Sequence, residues 1–168
     1  MSNGINLDQF DHSWEDIRRE PQRGYLRFQV AGDWIHGTRN QLAVRTFPPL
    51  AIDEIPNFGG ENSAPAPSEY LLSAVAGCFA VGLQQQLARA GVRLERFSLE
   101  VSGGVDWAKL EGLSPGDGGL DQLFIRATIQ SNAELELLEA LAEEAVRLSP
   151  VLNSLKTPAS VVILEADS

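Results

Sequence analysis

The sequence predicts an α+β domain with an N-terminal antiparallel β ribbon, one long buried central helix and a β-β-α-β second half. Three observations carry that reading. Strand-like alternation comes in pairs, rather than in single strands alternating with helices. A single proline-free stretch from Ser68 to Ala90 repeats its apolar residues at helical spacing. The middle of that stretch, SAVAGCFAVG, is apolar on nearly every face, so something must bury it.

Taken in order, residues 1–24 form a polar arm with one helical turn around Trp14–Arg19. Its aromatic residues Phe10 and Trp14 either pack on a neighbour or belong to a disordered or locally packed tail. Residues 25–30, YLRFQV, alternate Leu26, Phe28 and Val30 with Arg27 and Gln29, the pattern of a half-buried strand. Turn chemistry follows at Gly32-Asp33 and at His36-Gly37-Thr38-Arg39-Asn40, and Gln41 to Phe47 alternates again, which completes an antiparallel ribbon. Residues 48–67 carry Pro48, Pro49, Pro56, Pro65, Pro67 and the pair Gly59-Gly60, so a long loop or linker without helix is expected.

Leu72, Val75/Ala76, Phe79, Leu83 and Leu87 then define the central helix, with Pro67 and Ser68 at its start and Gly91 at its stop. Phe97, Leu99 and Val101 alternate as a strand, and residues 103–122 read as a glycine-rich loop. Leu123, Ile125, Ala127 and Ile129 form the next strand. Ser131 or Asn132 is placed to cap a helix that carries Glu134 and Glu136 in its first turn and ends at Pro150. Ser160 to Glu165 is the last strand.

Composition narrows the function classes. The chain has 168 residues and 18.2 kDa, which fits a single domain over 1–168 with the 1–24 arm. Thirteen basic residues against 23 acidic ones leave a net charge of −10, which excludes a general nucleic-acid binder. One cysteine and two histidines leave no material for a disulfide framework or a thiolate or imidazole metal site, so neither metal nor cofactor is expected. The first 24 residues contain no apolar h-region, and the low-charge stretch Leu71 to Leu83 is too short to span a bilayer. A cytoplasmic protein without membrane partners is the expectation.

Few residues are candidates for chemistry. Cys78 shares a helix face with Leu71 and Val75, and a lone cysteine on an apolar helix usually acts as a small hydrophobe. It sits well beyond the first helical turn, so the helix dipole cannot ionise it, and a thiolate there needs a cation brought from elsewhere. Arg39 is the candidate cation, against the plainer reading of a solvated turn residue. Glu69 reads first as a glutamate stabilising the helix N-terminus. His12 and His36 read as surface residues, and Ser149-Pro150 as a helix end. Nothing in the sequence assembles a Ser-His-Asp triad or a phosphate loop.

The stretch GGENSAPAPSEYLLSAVAGCF, residues 59–79, resembles the central segment of the osmotically inducible protein C (OsmC) and organic hydroperoxide resistance (Ohr) family. The order of elements over residues 25–165 is similar to that family as well, with GTRN at the ribbon turn. The resemblance implies an intertwined homodimer with the central helices packed together and a site at the subunit interface. It also implies thiol chemistry: a peroxidatic thiolate attacks a hydroperoxide and a second cysteine closes a disulfide.

Carried over by position, Cys78 takes the peroxidatic place and Arg39 that of the arginine holding the thiolate. The family's glutamate falls on Ser68 when counted back from Cys78, with Glu69 one residue later, about 100° further round a helix. The second cysteine corresponds to Ser149. The chain therefore resembles a divergent branch lacking the second cysteine, whose oxidised thiol needs an external thiol reductant.

Two functions follow from this. The first is an OsmC-like redox protein performing one-cysteine reduction of organic hydroperoxides or related small oxidants, with Cys78, Arg39 and Glu69 as catalytic residues. The second is a non-catalytic homodimer binding a small molecule, with Cys78 as pocket lining. Fast alkylation at pH 6 favours the first, and ligand-induced thermal stabilisation of an unreactive thiol favours the second. A serine hydrolase using Ser149 or Ser68 is a third reading without positive support.

Overall fold

The ribbon lies one step further along the chain than its hydropathy indicates. In the computed structural model, which describes residues 2–155 and 158–165, residues 25–30 belong to no strand, and the first strand is β1, Ala31–His36. Leu26 and Phe28 are 69% and 87% exposed, because their alternation finds no partner strand among the described residues. Gly32-Asp33, expected as a turn, pairs instead with Leu42 and Gln41 of β2, Arg39–Ala43. The turn is Gly37-Thr38 alone, opened by Gly37 at φ +55°, a conformation that suits glycine. A third strand, β3 (Leu50–Ile52), pairs antiparallel with β2 inside the segment expected as loop. That segment also contains one turn of 3-10 helix, Pro56–Phe58. Three residues of strand between Pro49 and Pro56 are too few for a periodicity to be visible.

The chain divides into two compact units, residues 9–71 and residues from Leu72 onward together with the N-terminal eight. The first contains the β1-β2-β3 sheet. Helix α1, Leu7–Arg19, is longer than the single turn expected and none of its residues is buried. Phe10 and Trp14, one turn apart, pack edge to face at 5.9 Å on its surface.

Helix α2, Pro67–Arg89, matches the sequence reading within one residue at each end. It stops where Gly91 takes φ +70°. The Gly91 and Val92 amides then donate to the Ala88 and Leu87 carbonyls, a Schellman closure that tucks Val92 into the core beside Leu87. Its buried face is Val75, Phe79, Leu83 and Leu87, a four-residue repeat.

That face belongs to the α/β core of the second unit. β4 (Leu94–Val105), β5 (Leu120–Ser131) and β6 (Ser160–Glu165) form a sheet with β5 central, antiparallel to β4 and parallel to β6. Along β5, Leu123, Ile125, Ala127 and Ile129 are buried and alternate with less buried neighbours. Leu138, Ala142 and Ala145 of α4, Leu135–Arg147, complete the cluster.

Two expectations shift. The 103–122 stretch is only partly loop: both strands run into it, and Trp107–Leu110 forms the short helix α3, capped by the Asp106 carboxylate on the Ala108 amide at 3.0 Å. A Cβ on Gly103 would sit 2.1 Å from Cδ2 of Leu120, so a larger residue there requires that side chain to move. Neither Ser131 nor Asn132 caps α4. Ser131 accepts from the Ala133 amide, and Asn132 accepts from the Arg93 amide just before β4, so neither side chain bonds the first turn of α4.

By length and composition α2 is the one helix among the described residues able to cross a membrane. Its packed Val75–Leu87 face is that of a core helix.

Candidate functional site

α2 and α4 meet where side chains are smallest. A Cβ placed on Gly82 would lie 3.5 Å from the Ala145 Cβ, ordinary contact distance, so the backbones approach closely there. One turn back along α2 is Cys78, and one turn beyond Ala145 is Ser149. The Gly82–Ala145 approach thus brings these two residues together. Cys78 Sγ and Ser149 Oγ are 3.0 Å apart, and either atom has the geometry to donate.

Ser149 is 3% exposed, whereas Cys78 is only half-buried. Pro150 prevents α4 from continuing. The chain turns instead, with the Leu152 amide donating to Ser149 Oγ at 3.2 Å and the Asn153 amide to the Ser149 carbonyl at 3.0 Å. The hydroxyl is therefore held from behind while it faces the sulfur.

The residues singled out with Cys78 lie in the other unit. Arg39 is the first residue of β2, exposed, paired across the turn with His36. Glu69 occupies the first turn of α2, and its Oε2 accepts from the Ala66 amide at 2.8 Å, one half of a capping box. Tyr70 donates its hydroxyl to the Ala51 carbonyl at 2.7 Å, tying the helix start to β3.

Sequence reasoning missed Asp53. Its carboxylate is 1% exposed and accepts five hydrogen bonds, from the Thr38 hydroxyl (2.6 Å), the Glu54, Glu61 and Ser63 amides (2.8, 3.2 and 2.9 Å) and the Ser63 hydroxyl (2.8 Å). The Thr38 hydroxyl, then the Ser63 amide and hydroxyl, hold its pKa far below the usual carboxylate range, against the opposing pull of burial. Asp53 thereby fastens Thr38, the neighbour of Arg39, to the GGEN loop that leads into α2. Gly60 is obligatory in that loop, because a Cβ there would fall 1.8 Å from the Glu54 carbonyl oxygen. A hint was present in the sequence: an aspartate directly after an apolar triplet, followed by Gly-Gly and Ser63, which can turn amides inward. Among the described residues no cluster of three or more His, Cys, Asp or Glu could hold a metal.

Comparison with known proteins agrees with this architecture. A family model described as OsmC-like protein matches residues 60–164. An OsmC-like protein from Vibrio cholerae superposes with a TM-score of 0.71 at 12% identity, over 83% of this chain and 100% of that one. An OsmC-like protein from Mycoplasma pneumoniae gives 0.67 at 14%, over 83% and 98%. An organic hydroperoxide resistance protein from Elizabethkingia anophelis gives 0.67 at 15%, over 84% and 99%. No curated protein sequence matches the chain. The chain belongs to the OsmC-like family, and its α+β fold is the one those neighbours share.

Proposed function

We propose that this protein is a cytoplasmic, homodimeric, one-cysteine thiol peroxidase acting on organic hydroperoxides or related small oxidants. The observation that carries the reading is the 3.0 Å contact between Cys78 and Ser149, the position where a second family thiol would stand. Family membership and the likeness to an organic hydroperoxide resistance protein support the substrate class. The exposed small stripe Ser73, Ala74, Gly77 and Val81 on α2, beside its buried face, supports a second copy as its cover.

The thiolate of Cys78 attacks one oxygen of the O–O bond. An S–O bond forms, the O–O bond breaks, and the alkoxide leaves and takes up a proton as the alcohol. Arg39 stabilises the thiolate and Glu69 orients Arg39. Ser149 cannot form a disulfide, so the sulfenic acid condenses with an external small thiol and releases water. A second such thiol then displaces Cys78 as thiolate and leaves as the small disulfide.

The test is the rate of Cys78 oxidation by an alkyl hydroperoxide, trapped with a sulfenate reagent and read by intact mass, with Cys78→Ser as control. Oxidation orders of magnitude faster than a free thiol is expected. A rate equal to that of a free thiol refutes the reading and favours a ligand-binding dimer.

A further inference from the structure

We propose that the Ser149 hydroxyl is a catalytic residue of this site, donating a hydrogen bond to the Cys78 sulfur and favouring its ionised form. This rests on the reading of Cys78 as the reacting thiol and gives the residue at position 149 a role other than closing a disulfide.

The direction of the bond follows from counting. A serine hydroxyl has one proton and two acceptor lone pairs. The Leu152 amide donates into one lone pair at 3.2 Å. Among the described residues the one acceptor in reach of the hydroxyl proton is the sulfur at 3.0 Å. Ser149 is 3% exposed, so bulk water offers no alternative, and a buried hydroxyl proton left unpaired is unfavourable. The proton therefore points at Cys78.

A hydrogen bond donated to a charged acceptor is stronger than one to a neutral acceptor, so the contact stabilises the thiolate more than the thiol. The amide bond from Leu152 polarises the hydroxyl in the same sense, and Asn153, bonded to the Ser149 carbonyl, keeps the residue in place. The geometry also explains how one position serves two kinds of chemistry. A thiol there would attack an oxidised Cys78, whereas a hydroxyl holds the sulfur and leaves the sulfenic acid to an incoming small thiol.

The experiment compares iodoacetamide alkylation of Cys78 across pH in the full-length wild type, Ser149→Ala, and the matched pair Ser149→Thr and Ser149→Val. Threonine and valine have nearly the same shape and differ by the hydroxyl. Loss of the hydroxyl in Ala and Val is expected to slow alkylation at pH 6 by about ten-fold, with rates converging at high pH where every thiol is ionised. Thr is expected to keep the wild-type profile.

Superimposable profiles for Thr and Val overturn the proposal, even if Ala fails to fold. Ser149→Cys provides an independent arm. Oxidant should close an internal disulfide, seen as the loss of two hydrogens in intact mass, and failure to do so contradicts the contact on which the proposal stands. Because alkylation needs no hydroperoxide, a wild type that is slow toward hydroperoxide refutes the peroxidase reading separately.

Discussion

Asp53 and Ser149 are both buried, at 1% and 3% exposure, yet their hydrogen bonds differ in kind. The Asp53 carboxylate is saturated by five donors from two stretches of chain, and no cation pairs with it among the described residues. The Ser149 hydroxyl has one backbone partner and one sulfur. A saturated buried group has nothing left to offer an incoming molecule, so it acts as scaffold. A buried group whose remaining partner is a half-exposed nucleophile can change that partner's reactivity.

Asp53→Ala gives the sharpest break in this comparison. It strands the Thr38 and Ser63 hydroxyls and three amides, and Tm by calorimetry should fall by more than about 10 °C. Gly60→Ala tests the same knot from the backbone side. The 1.8 Å approach to the Glu54 oxygen forces the loop to move, at a cost of roughly 3 kcal/mol read from urea midpoints.

Acid acts on the knot as well. Asp53 has a folded pKa below its unfolded one, so it contributes stability fully above about pH 4 and loses that contribution as the pH falls further. Urea midpoints at pH 7, 4 and 3 should therefore decline more steeply in wild type than in Asp53→Asn. Equal slopes would mean that the carboxylate is not held as described. Ser149→Ala lies at the other end, expected to cost only about 1 kcal/mol in urea melts while slowing alkylation of Cys78. A loss as large as that of Asp53→Ala would make Ser149 scaffold too.

The central helix was legible because all its signals are local. Pro67 at the start, Gly91 at the stop and a four-residue apolar repeat agree, and α2 ends within a residue of where they place it. β5 was legible for the same reason, since alternation along one strand is a property of that strand. The ribbon was displaced because YLRFQV shows alternation, and alternation does not name a partner. β3 was invisible because three residues hold no period. Among the candidate residues, Cys78 stood out as the single thiol, Arg39 as a cation in the ribbon turn and Glu69 by its place in the first turn of α2, and the resemblance linked the three. Asp53 stayed hidden because three of its five donors are backbone amides, whose direction is set by the path of the loop and not by residue type.

By itself, then, the sequence determined the central helix, the strand β5 and the absence of a second thiol, since these are written in residue order and residue type. Only the tertiary structure decided that Cys78 and Ser149, separated by most of the second unit's chain, stand 3.0 Å apart. The reason is the close approach of α2 and α4 at Gly82 and Ala145, a contact between small residues that no periodicity along either helix announces.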